Sequence, residues 1–216
     1  MWLMSTRRAI IFTGGALSPD DWTEIRGGDL IIGADRGALY LVEHGVHPDI
    51  AVGDFDSVLP DQLVKIKEYS KRLISCDPVR KDLTDTELAL ELAIEEQIGE
   101  VLLLGATGTR MDHTLVNLQM LLRTMQQHIH GVIQDAHNRI MLTGSEAIVE
   151  DKGYTYTSLV PMTSEVTGIN LEGFMYPLEN ATLKMGQSLG VSNRLTAPAG
   201  RVSIESGILL IIQSKD

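Results

Sequence analysis

The feature that most constrains this chain is a succession of short, unbroken apolar runs, most of them adjoining glycine, with helical patterns between them. Residues 9–12 lead into Thr13-Gly14-Gly15, residues 30–32 into Gly33-Ala34-Asp35, residues 50–52 into Gly53-Asp54 and residues 101–104 into Gly105. Leu73-Ile74 is a weaker run, and Val132-Ile133 follows Gly131. Strands covered on both faces read as continuous apolar runs, which is the pattern of a parallel sheet. The intervening stretches carry apolar residues at helical spacing: Leu39, Leu41 and Val42 within 36–44; Leu63, Val64 and Ile66 within 60–69; Leu88, Leu92 and Ile98 within 84–98; Leu115, Leu118, Leu121 and Leu122 within 112–127. Thr84 and Glu87 have capping-box spacing, which starts the third helix at Asp85. Strand and helix in alternation predict a three-layer α/β domain with a mostly parallel sheet.

The last third changes character. Short apolar or alternating segments at 140–142, 147–149, 154–160, 165–169, 181–183, 202–204 and 208–212 are punctuated by Gly and Pro, and hardly any amphipathic helix is visible. This predicts a small all-β domain, a sandwich or barrel. The change falls near residues 135–144, giving an α/β domain over 1–138 and an all-β domain over 139–216.

Composition narrows the partners. The chain has 216 residues, 44% of them apolar, and a formal net charge of −11. Such a surface repels phosphate backbones, which argues against a nucleic-acid binder. No run approaches the ~20 apolar residues of a membrane span, and the first residues carry no stretch of signal-peptide length. Cys76 is the only cysteine; it has no internal disulfide partner and reads as a small buried apolar residue in a reducing cytoplasm.

The acids are placed where chemistry happens in such a sheet. Asp35 follows the second run, Asp54 and Asp56 the third; Asp82 and Asp85 precede a helix, and Asp112 lies before the next one. In an open parallel sheet these connections lie together at the carboxyl edge of the strands, where ligands bind. Clustered carboxylates call for a neutralising cation, and magnesium uses one or two of them together with phosphate oxygens. Asp54 and Asp56, with only Phe55 between them, would point the same way in an extended segment. Any single one of these acids also serves as a helix cap or turn former, and the argument rests on the set. A second feature is residues 105–113, which read Gly-Ala-Thr-Gly-Thr-Arg-Met-Asp-His. A glycine-rich turn between strand and helix offers backbone N–H groups to an anion, and Arg110 adds a fork for phosphate oxygens. Lys81 is a second candidate cation. This is neither a P-loop, lacking Gly-Lys-Ser/Thr, nor a dinucleotide fingerprint.

The motifs Gly33-Ala34-Asp35-Arg36-Gly37-Ala38, Pro48-Asp49, Gly53-Asp54-Phe55-Asp56-Ser57, Lys81-Asp82-Leu83-Thr84-Asp85 and residues 105–113 stand in the order seen in thiamine pyrophosphokinases. Thr167-Gly168, Gly173-Phe174, Tyr176-Pro177-Leu178 and Gly190-Val191-Ser192-Asn193 also resemble that family, so the likeness spans nearly the whole chain. It implies that the all-β domain over 139–216 is a β-sandwich. It also implies transfer of a pyrophosphoryl group from MgATP to thiamine, in a cytoplasmic homodimer with active sites between subunits. It further implies that Asp54, Asp56 and Asp85 hold magnesium, with Asp35 and Asp82 in the same site. Lys81, Gly105, Thr107, Gly108, Arg110 and Asp112 would serve ATP, and Ser192 and Asn193 of the partner subunit would contact thiamine, with Asp35 also on the substrate side. The chain departs from some relatives in having no C-terminal tryptophan to stack on thiamine, since Trp2 and Trp22 are both N-terminal.

Other readings stay open at this level. Asp54-Phe55-Asp56-Ser57-Val58 fits the nucleophile motif of haloacid-dehalogenase-type phosphatases, in which Asp54 would be phosphorylated; two strand–helix units precede it here, where that motif ends a first strand. A non-catalytic thiamine or nucleotide sensor needs fewer metal-compatible carboxylates. A glycosyltransferase would use Asp54-Phe55-Asp56 as a metal motif with a nucleotide sugar.

Overall fold

The apolar runs of the first two thirds become β1 (Arg8–Phe12), β2 (Leu30–Ala34), β3 (Ile50–Gly53), β4 (Arg72–Ser75), β5 (Glu100–Leu104) and β6 (His130–Gln134) in a computed structural model of the chain, which describes residues 7–75 and 83–216. Neighbours are parallel throughout, in the order β4-β3-β2-β1-β5-β6. β1 is central, and Ile10, Ile11 and Phe12 expose nothing to solvent. Four helices, α1 (Arg36–Glu43), α2 (Pro60–Tyr69), α3 (Asp85–Glu95) and α4 (Met111–Gln126), follow β2, β3, β4 and β5. α1 packs on α2 and α3 on α4, and both α1 and α3 reach β1 and β2. From β1 the chain proceeds outward through β2, β3 and β4, then returns to the other side through β5 and β6. Right-handed crossovers in opposite directions put the helix pairs on opposite faces, which is the three-layer arrangement expected. The same reversal opens a crevice between the carboxyl ends of β1 and β5.

Local signals account for the helix ends. The Thr84 hydroxyl accepts from the Glu87 N–H at 3.2 Å and starts α3 at Asp85. α4 begins at Met111 and its buried stripe keeps only Leu121 of the four leucines in the pattern: Asn117, Met120, Leu121 and Thr124 face inward, while Leu115 is 53% exposed. The cause is local fit. A side chain at Gly131 on β6 would overlap the Thr124 hydroxyl, and Asn117 is drawn in by the carbonyl of Ala106. Cys76, Lys81 and Asp82 lie outside the described residues. Among the described residues no helix is long and apolar enough to cross a membrane.

The chain divides into two compact units between Ala136 and His137. The second is built of antiparallel pairings. β7 (Asn138–Thr143), β13 (Leu209–Ser214) and β9 (Tyr156–Pro161) pair in the order β7-β13-β9. β11 (Ala181–Lys184), β10 (Glu165–Glu172), β12 (Ala199–Ser203) and β8 (Glu146–Glu150) form a four-stranded sheet in the order β11-β10-β12-β8. Strands such as β9 alternate buried and half-buried residues, as a sandwich requires. Val149, Leu159, Val166, Ile169, Val202 and Ile211 supply buried core.

One buried ion pair ties the first unit together. Arg8 on β1 donates to Asp29 Oδ1 at 3.0 Å and Oδ2 at 2.6 Å, and the two side chains are only 6% and 4% exposed. Burial pushes the Asp29 carboxyl up, but hydrogen bonds from the Arg8 side chain and the Arg26 N–H, with the charge of Arg8, outweigh it and leave the group below its ordinary value. Asp29→Asn leaves a buried guanidinium without its counter-charge, and equilibrium denaturation should show a loss of about 3–5 kcal/mol. The pair's stabilisation is complete above the unfolded carboxylate value of about 3.9 and is lost as pH falls through the lower folded value; the variant should show less acid sensitivity in that window.

Candidate functional site

A cleft of about 320 Å³ opens at the carboxyl edge of the first unit, within the range of small-molecule sites. Its floor is the close approach of two loops. Gly15 N–H donates to the Gly105 carbonyl at 2.9 Å, Ala16 N–H to that of Thr107 at 2.8 Å, and the Thr13 hydroxyl to that of Gly105. A Cβ on Gly15 would overlap the carbonyl oxygens of both Gly105 and Thr107, and Gly105 itself has φ +70°, so these two positions need glycine.

One wall is acidic. Asp35 ends β2 and caps α1 in a backbone conformation of φ 50°, ψ −118°, sparsely populated for a residue with a side chain. Its N–H is held by the Val52 carbonyl at 2.9 Å. Asp54 and Asp56 follow β3. The segment is not extended, as the spacing suggested: Phe55 has φ +56°, and the Asp56 N–H donates to Asp54 Oδ1 at 3.2 Å. The turn is fixed by Phe55, whose ring enters a buried cluster with Ala38, Leu39, Ala51 and Ile66. With the ring anchored inward, carboxylate oxygens of Asp35, Asp54 and Asp56 lie within 4.8 Å of one another. Asp85, first residue of α3, lines the same cleft; a Cβ on Gly53 would stand 3.3 Å from both Asp85 Oδ1 and the Asp35 nitrogen.

Asp35 is the most constrained of these acids. Its Oδ2 accepts from the Ser57 hydroxyl, and its Oδ1 is buried with no hydrogen-bond partner among the described residues. Burial pushes the carboxyl above its ordinary value, the Ser57 bond opposes this, and the charges of Asp85 and Asp54 raise it further. An oxygen-only donor set with an orphaned oxygen and mutual repulsion fits a hard divalent cation.

The other wall is the turn after β5. Gly105, Thr107, Gly108 and Arg110 all line the cleft, as do His113 and Asn117. The Thr107 hydroxyl is already committed, donating to Asp135 Oδ2 at 2.7 Å. Arg110 pairs with Asp112, Nη2 to Oδ2 at 2.6 Å and Nε to Oδ1 at 3.3 Å. Asp112 lies in the first turn of α4 and not in a loop. The Arg110 hydrogen bond draws its pKa down to about 2.

Ser192 and Asn193 belong to the second unit. Ser192 is exposed with φ +61°, and its N–H donates to the Ser158 hydroxyl at 3.0 Å. Asn193 is buried, and its amide serves the fold: it accepts from the Tyr176 N–H at 3.0 Å and donates to the Tyr176 carbonyl at 2.7 Å. Ser57, Thr13 and Asn117 are site residues that sequence reasoning gave no role. For Asn117 no local signal exists, since the inward stripe of α4 depends on Gly131 and Ala106, distant in sequence.

Two family models cover the chain: "Thiamin pyrophosphokinase, catalytic domain" matches residues 23–133, and "Thiamin pyrophosphokinase, vitamin B1 binding domain" matches residues 146–209. The chain belongs to the thiamin pyrophosphokinase family. It is 35% identical to the thiamine pyrophosphokinase of Bacillus subtilis (strain 168) over 87% of this chain and 88% of that protein. The crystal structure of thiamine pyrophosphokinase from Bacillus subtilis superposes with a TM-score of 0.89 at 33% identity, covering 97% of this chain and 99% of the other. That of thiamin pyrophosphokinase from Geobacillus thermodenitrificans gives 0.86 at 33% identity, covering 97% and 98%. The acidic wall and the glycine-rich turn lie inside the part matched to the pyrophosphokinase catalytic domain.

The floor can be tested by two neighbouring glycines. Gly15→Ala forces two backbones apart and should lower the melting temperature, with a cost of about 1–3 kcal/mol, and raise KM for ATP. Gly14→Ala, whose Cβ would sit 3.6 Å from that of Arg36, should melt within ~0.5 kcal/mol of the parent.

Proposed function

We infer that this chain transfers the pyrophosphoryl group of ATP to the hydroxyl of thiamine, giving thiamine diphosphate and AMP. The observation that carries this is the match of both units, catalytic and vitamin B1 binding, to one family. The phosphatase, sensor and glycosyltransferase readings have no such support, and Asp54 follows the third strand of its sheet rather than the first.

The division of labour within the cleft is our reading. Asp54, Asp56 and Asp85 hold magnesium, with Asp35 completing the acidic wall. The cluster of Asp35, Asp54 and Asp56 supports this, with Asp85 across Gly53. Magnesium there would neutralise the acids and the phosphate charge together and so permit a polyanion beside carboxylates. Across the cleft the turn of residues 105–109 offers N–H groups to phosphate, and Arg110 offers its fork once Asp112 releases it. The protein mainly orients the reactants and balances charge, as is general for such transfers. The positive charge of thiamine suits an acidic cleft. Ser192 is the exposed polar residue of the second unit that meets thiamine, with Asn193 holding its turn. From the family resemblance we further propose a cytoplasmic homodimer in which Ser192 and Asn193 of the partner subunit complete each site, and roles for Lys81 and Asp82 beside ATP.

Incubation with MgATP and thiamine, followed by chromatography, should give AMP and thiamine diphosphate in equal amounts. ADP with thiamine monophosphate would overturn the point of attack, and no thiamine product would overturn the reading. Asp54→Asn should keep its melting temperature and lose turnover at least about 100-fold. Chelation of divalent metal should abolish turnover, with recovery on adding magnesium back.

A further inference from the structure

The turn after β5 is fastened from behind. The carbonyls of Gly105, Ala106 and Thr107 accept from Gly15, from the Asn117 side chain at 2.6 Å and from Ala16, so three successive acceptors are engaged by the scaffold. Among the described residues, no N–H of residues 106–109 donates to a backbone carbonyl. A turn with its carbonyls satisfied and its donors open is built to receive an anion.

A further fastening comes from a residue that the reaction does not call for. β6 runs in register with β5, Leu104 opposite Gln134, which brings the next residue, Asp135, level with the turn. Its Oδ2 takes the Thr107 hydroxyl proton at 2.7 Å, 28 residues away in sequence. Asp135 lies beyond the catalytic-domain match, which ends at residue 133. A carboxylate one side chain away from a phosphate-receiving turn opposes the ligand by its charge. What it gains is a charge-assisted acceptor, roughly twice as strong as a neutral one. The bond also decides what Thr107 can do: a hydroxyl has one proton, and with it committed to Asp135 the side chain has none to give a phosphate oxygen.

We propose that Asp135 is a positioning residue for pyrophosphoryl transfer, setting through the Thr107 hydroxyl the shape in which the turn of residues 105–109 presents its N–H groups to the nucleotide phosphates. This rests on the pyrophosphokinase reading of the cleft.

The test is a mutant cycle on the full chain, with KM for ATP, KM for thiamine, kcat and melting temperature measured for each variant. Asp135→Ala and Thr107→Val should each raise KM for ATP roughly tenfold, with KM for thiamine within about twofold. The double variant should be no worse than the weaker single. Asp135→Asn and Thr107→Ser, which keep an acceptor and a hydroxyl, should recover most of the loss. An unchanged KM for ATP in Asp135→Ala overturns the proposal, as do multiplying effects in the double variant or a loss that follows melting temperature and touches both substrates equally. If Asp135→Ala fails to fold, Thr107→Val against Thr107→Ser carries the same comparison. Calorimetry with a non-hydrolysable ATP analogue separates this from the activity. A parent that makes no thiamine diphosphate overturns the functional reading, whereas analogue binding unaltered by Asp135→Ala or Thr107→Val overturns the role of Asp135.

Discussion

Where β1 and β5 turn away from each other, two stretches of backbone approach until no side chain fits between them. The Thr13 N–H reaches the Leu104 carbonyl, and the Gly15 and Ala16 N–H groups reach those of Gly105 and Thr107. The crevice at a switch point would otherwise be a gap between diverging connections. Here it has a floor made of peptide groups, and both walls are hung from it. The acidic wall depends on β2, paired with β1 on one side, and the turn of residues 105–109 continues β5 on the other. A shift of that floor would move both walls at once.

Charge is unevenly divided across the floor. Asp35 and Asp85 line one side together with Arg36, Asp54 and Asp56 adjoin Asp35, and Arg110 and the open N–H groups stand on the other. Burial first, and then the charges of Asp85 and Asp54, hold the Asp35 carboxyl above its ordinary value, and the fold sustains this arrangement through apolar anchoring. Phe55 is the clearest instance: its burial in the α1–β3–α2 cluster holds a left-handed turn that leaves both flanking acids beside Asp35. Asp35 is fixed by backbone bonds to Val52 and by Ser57. The acidic wall is therefore preorganised by hydrophobic packing and strain, the usual way such geometry is kept at a working site.

The strand–helix alternation was legible because covered parallel strands must be apolar throughout, and runs such as residues 101–104 admit no other partner. The α3 start was legible because capping is local chemistry at Thr84 and Glu87. The convergence of Asp35, Asp54, Asp56 and Asp85 followed from topology, while Asp112 stands apart in the first turn of α4, paired with Arg110. What could not be read depends on tertiary neighbours. The inward stripe of α4 is set by Gly131 and Ala106, distant in sequence. The turn at Phe55 overrides the alternation expected of two acids around one apolar residue, because burying the ring outweighs an extended backbone. The amide of Asn193 is engaged by Tyr176, a neighbour that its motif does not reveal. Asp135 had no local pattern at all, since it matters only once β6 lies beside β5.

The Arg110–Asp112 pair has an effect of its own. An exposed ion pair of this kind contributes little net stability, so Asp112 keeps the guanidinium aimed along the rim of the cleft without locking it there. The cation is in place and masked at the same time, and little energy separates the masked form from the open one.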